Sequence, residues 1–222
     1  MDTILRTENI WKTYESSSVK VNAINGISLA FTKGKFYAVI GRSGSGKSTL
    51  LYLLSGLDQP TKGKVYFEEK DLSQYPDGQM AVFRRRHMGF VFQQYNLMEE
   101  YNVLDNICMP VKLDQRKPDP EFLHTVLAAL GLLDKQKKYA GELSGGEQQR
   151  VAIARSILSK PKIIFADEPT GNLDKKTAFE TLELLMECAG KFGQTLIMVT
   201  HDLEIARMSE TVITIEDGKV IE

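Results

Sequence analysis

The sequence predicts an α/β protein whose core is a mainly parallel sheet, with a helical subdomain inserted into it. Short apolar runs at residues 36–40, 163–166 and 195–200 are typical of strands that are buried on both faces. Longer amphipathic stretches, typical of helices, lie between such runs. The segment 96–139 differs in character because it contains prolines and then one amphipathic helix, so it is interpreted as the insert.

A glycine-rich turn follows the first of these apolar runs and leads into an apolar helix. Its residues fit the phosphate-loop pattern and are Gly41, Arg42, Ser43, Gly44, Ser45, Gly46, Lys47, Ser48 and Thr49. Glycine backbones let successive N–H groups point inward, and the helix N-terminus adds positive potential, so the turn can cradle anionic oxygens. Lys47 is expected to reach the β- and γ-phosphates, and the Ser48 hydroxyl to coordinate Mg²⁺. The alternative, a chance glycine-rich turn, is disfavoured by the strand before it and the helix after it.

Composition limits the function further. The 222 residues suffice for one large α/β domain or a domain with a small insert. The net charge of −1 gives no general affinity for nucleic acid or anionic lipid. Cys108 and Cys188 fit no metal or redox spacing, so a reduced cytosolic setting is expected. The start does not resemble a signal peptide, and no apolar run approaches the ~20 residues of a membrane span. A role at a membrane would therefore need a partner that spans it.

Periodicity and turn residues predict the remaining elements. Strands are predicted at residues 4–12, 23–31, 65–67 and 88–92, helices at 50–57, 145–158 and 178–190, and a closing hairpin at 211–215 and 219–221. Asp217-Gly218 between the last two strands is a strong two-residue turn signal. One amphipathic helix is expected to carry Phe122, Val126, Leu130 and Leu133 on a single face, either as core or as a docking surface.

Two polar stretches are interpreted more plainly. Residues 16–18 are three serines and are expected to form a loop. Residues 84–86 are three arginines, the only dense basic run, and such a run is most often a solvated helix face.

Four polar residues stand where apolar strands end, and they are the main candidates for chemistry. They are Gln93, Asp167, Glu168 and His201. Ligands of parallel α/β sheets bind outside the carboxyl ends of the strands, so these side chains are expected to converge with the phosphate loop. Asp167 could hold Mg²⁺, Glu168 could orient or deprotonate a water, Gln93 could bridge metal and water, and His201 could donate to a γ-phosphate. Each alone could be an ordinary polar strand end.

A second glycine-rich motif, Leu-Ser-Gly-Gly-Glu at residues 143–147, also opens a helix. A serine hydroxyl, glycine N–H groups and a helix N-terminus suit phosphate as well. Either both motifs face one nucleotide within the chain, or this one serves the nucleotide of another chain.

These motifs together resemble an ABC transporter ATPase over essentially the whole chain. The resemblance rests on residues 41–49, Gln93, the signature at residues 143–150, the strand 163–168, residues 172–174 and His201, in that order. Residues 89–94 and 166–174 look like the subgroup that serves lipoprotein release, macrolide export and bacitracin resistance, and like the related cell-division ATPase.

The resemblance implies a role for each site residue. Tyr14, which by residue type alone could be a stray exposed aromatic, would stack on adenine. Ser48, Gln93 and Asp167 would serve Mg²⁺, Glu168 would be the catalytic carboxylate, and His201 would sense the γ-phosphate. Catalysis would thus involve Glu168, His201, Gln93 and Lys47. Ser144, Gly145 and Gly146 would contact the ATP of a second copy, with Asp174 at the interface of a head-to-tail homodimer.

The resemblance also implies an architecture. The chain would be a single ABC ATPase domain, residues 1–222, with a phosphate-loop NTPase core at residues 1–93 and 160–222. An antiparallel β subdomain and a helical subdomain at about residues 94–159 would complete it. Because the sequence ends soon after the last hairpin, no C-terminal regulatory domain is expected.

The expected function is that of an ATP-hydrolysing subunit at the cytoplasmic face of a membrane. It would drive a separate transmembrane permease, for export or extraction of a lipid-like, peptide or drug substrate, and would not bind nucleic acid. The alternative is a mechanotransmission or signalling ATPase whose membrane partner moves no substrate. A soluble ABC ATPase of DNA repair or translation fits less well, because the sequence has neither a heptad run nor a second cassette.

Overall fold

The structure is a computed structural model that describes residues 2–15 and 20–221. It divides into two compact units, a first unit of Met1–Arg84 and Ile197–Glu222 and a second unit of Arg85–Leu196. The predicted serine loop at residues 16–18 lies outside the described residues.

The strands, in chain order, are β1 (Thr3–Glu15), β2 (Lys20–Ile27), β3 (Ala30–Thr32), β4 (Phe36–Ile40), β5 (Lys62–Phe67), β6 (Lys70–Asp71), β7 (Met88–Phe92), β8 (Ile163–Asp167), β9 (Thr195–Val199), β10 (Thr211–Glu216) and β11 (Lys219–Ile221). The α-helices are α1 (Lys47–Leu54), α2 (Asp77–His87), α3 (Val103–Leu113), α4 (Pro120–Ala129), α5 (Gly145–Leu158), α6 (Lys175–Lys191) and α7 (Leu203–Ala206). None of the helices in the described part of the chain has the length and apolar character that crossing a bilayer requires.

The first unit contains an antiparallel sheet in the order β2-β1-β5-β6, with β3 also paired to β1. Strand β1 forms its long pairing with β2 through Trp11 opposite Asn25 and Tyr14 opposite Val21. The buried face of this sheet includes Leu5, Ile10 and Phe31, none of which is measurably exposed. Apolar burial of this kind is the main stabilising term of a sheet packed on one face.

The same unit contains the strands that hold the phosphate loop. Their order is β11-β10-β4-β9, with residues 197–199 of β9 inside the unit. Strands β10 and β4 run parallel, with Thr211 opposite Tyr37 and Thr214 opposite Ile40. Four of the five residues of β4 are buried, as the apolar run predicts.

The second unit pairs β7 with β8 in parallel and packs helix α5 on β7, and helices α3, α4 and α6 in turn contact α5. Phe92 stands opposite Asp167 at the carboxyl ends of the two strands. Helix α5 packs closely on β7, because a Cβ on Gly89 would lie 2.7 Å from the Ser156 carbonyl oxygen. The predicted helical subdomain at residues 94–159 falls wholly within this unit, and the single-domain assignment with core 1–93 and 160–222 remains a prediction.

Most predicted elements are confirmed, some of them to the residue. Strand β7 and helix α5 have the predicted bounds, and the Asp217-Gly218 hairpin forms between β10 and β11. Helix α1 begins at Lys47 but ends at Leu54, earlier than predicted. Strand β8 includes Asp167 as its last residue.

Two element predictions are wrong. The strand predicted at residues 23–31 is two strands, because Leu29 leaves the ladder to exchange hydrogen bonds with Thr7 and the Ser28 hydroxyl accepts one from the Asn9 N–H. The helix face predicted to include Leu133 is shorter, since α4 ends at Ala129 and Leu133 lies beyond it with 42% of its surface exposed.

The arginine run is not a simple solvated face either. The Arg84 guanidinium donates to the Gly56 carbonyl oxygen at 2.6 Å, within the first unit. In the second unit, Arg85 and Arg86 both bind the Asp114 carboxylate, which Arg116 also contacts. The Asp114 side chain is only 2% exposed beneath these guanidinium groups.

Candidate functional site

The phosphate loop connects β4 to α1 in the first unit and leaves the start of the helix without a side-chain cap. Gly46 occupies the N-cap with φ of 105°, a left-handed conformation that favours glycine. Lys47 begins the helix and is 7% exposed, and its Nζ donates to the Arg42 carbonyl oxygen at 2.9 Å. A helix N-terminus without a side-chain cap presents N–H groups and positive potential to an anion.

Ser45 supplies a second sign of a ligand. Its hydroxyl is buried and has no hydrogen-bond partner within the described residues. Such a group is costly to bury unless something binds it. At the preceding residue, a Cβ on Gly44 would meet no atom within 4 Å. An open loop with an unpartnered hydroxyl, a lysine ammonium and helix N–H groups fits a polyphosphate.

Tyr14 lies at the end of β1 with 43% of its surface exposed. Its hydroxyl donates to Asp58 Oδ2 at 2.7 Å and is also hydrogen-bonded to the side chain of Thr49 in the phosphate loop. Lys12 Nζ binds Asp58 Oδ1 at 2.6 Å and lies 4.9 Å from the centre of the Tyr14 ring. Partial burial, and then the hydrogen bond to Asp58, raises the pKa of Tyr14 above its usual value. The ring is therefore held as a fixed, partly exposed aromatic surface.

His201 follows β9 and is exposed. The preceding Thr200 donates its N–H to the Val39 carbonyl oxygen at 3.1 Å, which places the end of β9 beside the end of β4. The following Asp202 caps α7 by accepting from the Glu204 N–H at 2.8 Å. The first unit thus brings His201 and the phosphate loop to the ends of neighbouring strands, as the sequence predicts.

The second unit brings together Gln93, Asp167 and Glu168. Because Phe92 and Asp167 are paired, Gln93 and Glu168 follow the two strands at the same edge. Gln93 Nε2 donates to Asn172 Oδ1 at 3.2 Å, and Asn172 Nδ2 donates back to the Gln93 carbonyl oxygen at 2.9 Å. Glu168 has φ of 45°, a strained conformation for this residue type that is typical of functional turns.

The signature motif begins α5 with a reciprocal capping box. Ser144 is the exposed N-cap, and its N–H donates to Glu147 Oε2 at 2.8 Å while the Glu147 N–H donates to its hydroxyl. The bond from the Ser144 backbone, with help from Lys135, lowers the pKa of Glu147 to about 2. A Cβ on Gly146 would lie 2.5 Å from Thr177 Cγ2, so the helix starts tightly against α6.

Asp174 is exposed and caps α6 by accepting from the Thr177 N–H at 3.1 Å. The hydrogen bonds from Thr177 lower the pKa of Asp174. The Asp174 carboxylate therefore stabilises the start of α6 in its own chain, apart from any role at a dimer interface.

Two residues to which the sequence analysis assigned no individual role complete this description. Asp58 anchors Tyr14 from a position 44 residues away, and no spacing rule connects such a pair. Asn172 holds Gln93 and lies in residues 172–174, one of the motifs that resemble the ABC family. That motif is the sequence feature from which a role for Asn172 could have been predicted.

These features define a nucleotide-binding protein of the phosphate-loop α/β class. The model of the ABC transporter family matches residues 24–171, and the chain belongs to that family. The predicted ABC ATPase family is thereby confirmed, and the chain is an ATP-binding ATPase; the fold and the subgroup are confirmed by the solved structure and the named relatives below.

Named relatives and a solved structure match over nearly the full chain. The lipoprotein-releasing system ATP-binding protein LolD of Aquifex aeolicus is 42% identical, over 100% of this chain and 97% of its own. The bacitracin export ATP-binding protein BceA of Halalkalibacterium halodurans is 39% identical, over 98% of this chain and 87% of its own. A dimeric ATP-binding cassette, solved in a post-hydrolysis state with ADP and Pi, has a TM-score of 0.88 and 35% identity, covering 99% of this chain and 97% of that one.

Proposed function

We propose that this ATPase drives a separate transmembrane permease from the cytoplasmic face of a membrane, for export or extraction of a lipid-like, peptide or drug substrate. The names of the two relatives support this proposal, since one serves lipoprotein release and the other bacitracin export. The relatives align with this chain over nearly its whole length. The permease would hold the protein at the membrane.

The phosphate loop carries the nucleotide part of the proposal. Its buried, unpartnered Ser45 hydroxyl and its uncapped helix start call for an anionic ligand. ATP would place its phosphates against residues 41–49 and its adenine on Tyr14. Glu168 would act as the catalytic carboxylate, Gln93 would position water and metal, and His201 would contact the γ-phosphate.

Magnesium fits the donors that the sequence supplies. Ser48, Gln93 and Asp167 offer a hydroxyl, an amide and a single carboxylate, and Mg²⁺ is commonly held by one or two carboxylates together with substrate phosphates. The described residues contain no cluster of three or more His, Cys, Asp or Glu side chains that could hold a metal alone. When bound, Mg²⁺ would neutralise charge on the phosphates.

A second copy of the chain would complete each site. Ser144, Gly145 and Gly146 would face the ATP of the other copy, and Asp174 would lie at the interface. Support comes from the exposure of Ser144 at the start of α5 and from the dimeric state of the related cassette. Closure around two nucleotides and reopening after hydrolysis would then be the mechanical output.

The permease would dock near Gln93 and the segment 96–139. Three large side chains of that segment, Met98, Tyr101 and Tyr139, are 44%, 45% and 50% exposed. Exposed aromatic and methionine side chains are enriched at protein interfaces.

The experiment for the catalytic site is Glu168→Gln, with Glu183→Gln on the exposed face of α6 as the matched control. Glu168→Gln should bind ATP as tightly as the parent, lose hydrolysis and accumulate as a dimer in size-exclusion chromatography with ATP. The control should behave as the parent in all three measurements. Hydrolysis of ATP by Glu168→Gln at the parent rate would show that Glu168 is not the catalytic carboxylate.

The experiment for the partner is co-purification of the permease from membranes and reconstitution in vesicles. Movement of substrate that depends on ATP supports transport. Rearrangement of the permease without movement of substrate would instead support the mechanotransmission alternative.

A further inference from the structure

The turn of the C-terminal hairpin lies directly against the phosphate loop, although 172 positions separate Gly218 from Gly46. The Gly218 N–H donates to the Ser45 carbonyl oxygen at 2.9 Å. Asn25 of β2 holds this hairpin turn in place, because its backbone N–H donates to the Gly218 carbonyl oxygen at 2.8 Å. The Asn25 side-chain amide donates to the Asp217 carbonyl oxygen at 2.7 Å.

The contact is between backbones and leaves no space for a side chain. A Cβ on Gly46 would lie 2.4 Å from the Ala23 carbonyl oxygen, and one on Gly218 would lie 2.7 Å from the same oxygen. Gly218 also has φ of 74°, which disfavours any other residue. At the start of the phosphate loop, a Cβ on Gly41 would lie 2.1 Å from the carbonyl oxygen of Ile215 in β10. The loop is thus supported by β2 and by the hairpin together.

The hydrogen bond from Gly218 fixes the orientation of one peptide group. In a trans peptide, the carbonyl of one residue and the N–H of the next point in opposite directions. Holding the Ser45 carbonyl toward Gly218 therefore turns the Gly46 N–H away from the hairpin. That N–H belongs to the N-cap of α1, where an anion would be bound.

We propose that Asn25 and the Asp217-Gly218 turn are positioning residues for phosphate binding. They orient the Ser45–Gly46 peptide so that its N–H faces the phosphates before the nucleotide arrives. Pre-oriented donors bind an anion more tightly because the ordering is completed in the free protein. This inference rests on the proposed binding of ATP phosphates at residues 41–49.

The test compares Asn25→Ala with Asn22→Ala by titration calorimetry with ADP and, separately, with inorganic tripolyphosphate. Asn22 lies on the same strand, and its Oδ1 accepts one hydrogen bond from the Thr13 hydroxyl at 3.0 Å, so it is a matched control. Asn25→Ala should reduce the affinity for both ligands about five-fold, which is the effect expected for the loss of one neutral hydrogen bond. Asn22→Ala should bind both ligands as the parent does.

A second variant, Gly218→Ala, tests the turn itself. It should weaken both ligands more than Asn25→Ala does, because it strains the backbone at φ of 74°. Fluorescence of Trp11, the sole tryptophan, and circular dichroism report how much of each variant is folded at the assay temperature.

The outcomes separate this inference from the proposed function. If the parent binds neither ligand, the proposed function fails. If the parent binds both and Asn25→Ala and Gly218→Ala bind as tightly as Asn22→Ala, the inference is overturned while the proposed function stands. Weaker binding explained by a smaller folded fraction, or weaker binding of ADP with unchanged binding of tripolyphosphate, would also overturn it.

Discussion

The Tyr14 hydroxyl donates a hydrogen bond of 2.7 Å to the Asp58 carboxylate, and Asp58 also holds Lys12 at 2.6 Å. Asp58 lies shortly after the end of α1, and Thr49, in the first turn of that helix, bonds to the same hydroxyl. The Tyr14 ring, on which adenine is proposed to stack, is therefore held through its hydroxyl by one residue at the start of α1 and by one just after its end. A base that stacks on Tyr14 would meet a ring whose tilt is already fixed.

Removal of the ring should weaken nucleotide binding through the base alone. Tyr14→Ala should reduce ADP affinity by about 1–3 kcal/mol, the usual value of one base stacked on an aromatic ring. Binding of tripolyphosphate should not change, because it has no base. Calorimetry with both ligands measures this, and the exposed Tyr101→Ala serves as control.

Loss of the anchor should have a smaller effect of the same kind. Tyr14→Phe keeps the ring and Asp58→Asn keeps an acceptor but loses the ion pair with Lys12. Each substitution should weaken the binding of ADP by up to about 1 kcal/mol, the net contribution of one hydrogen bond. ADP affinity equal to the parent in both variants would mean that the anchor does not orient the ring.

Lys47→Ala should weaken binding of both ADP and tripolyphosphate by about 2 kcal/mol, because a hydrogen bond to a charged group is removed. Lys47 is 7% exposed and already directed along the loop by its bond to the Arg42 carbonyl. The exposed Lys33→Ala is the control for loss of one positive charge. Unchanged affinity in Lys47→Ala would contradict the assignment of the phosphate loop.

Glu147 should make the stability of the protein depend on pH in acid. Its pKa falls from 4.5 to about 2 in the folded state, so the carboxylate stabilises the fold above pH 4.5. That contribution is lost as the pH falls through about 2. Glu147→Gln keeps a capping acceptor but cannot titrate.

Urea unfolding followed by circular dichroism measures this difference. Near neutral pH, Glu147→Gln should be less stable by about 1 kcal/mol, the usual scale of a helix cap. The difference should shrink as the pH falls from 4.5 to about 2. A difference that is constant over that range would show that Glu147 does not titrate as proposed.

Asp114→Ala should lower the thermal unfolding midpoint by several degrees, because it leaves three guanidinium groups facing one another without their shared carboxylate. The Asp114 side chain is 2% exposed. Asp134→Ala is the control, because Asp134 likewise forms an ion pair, with Lys135, but its side chain is 74% exposed. Equal midpoints for the two variants would mean that the arginine cluster is stable without its centre.

Local patterns sufficed for much of the fold, and they are also the basis of the proposed site residues. The apolar run of β7 and the Ser144 cap of α5 are each encoded within a few neighbouring residues, so both elements could be predicted to the residue. The break at Ser28-Leu29 could not, because it depends on Thr7 and Asn9 of another strand. The same holds for Asp58, which is 44 residues from Tyr14, and for Arg85 and Arg86, which are 29 and 28 residues from Asp114.

Strand β4, which leads into the phosphate loop, has both of its sheet neighbours far downstream. They are β10, paired through Thr214 and Ile40, and β9. During synthesis on a ribosome, the loop is made early, but the strands that fix its position emerge only after residue 195. Because such non-local pairing is slow to form, a nascent or prematurely terminated chain would display the loop without being able to grip a nucleotide. Binding of ATP would therefore indicate that β9 and β10 have been synthesised and have paired with β4.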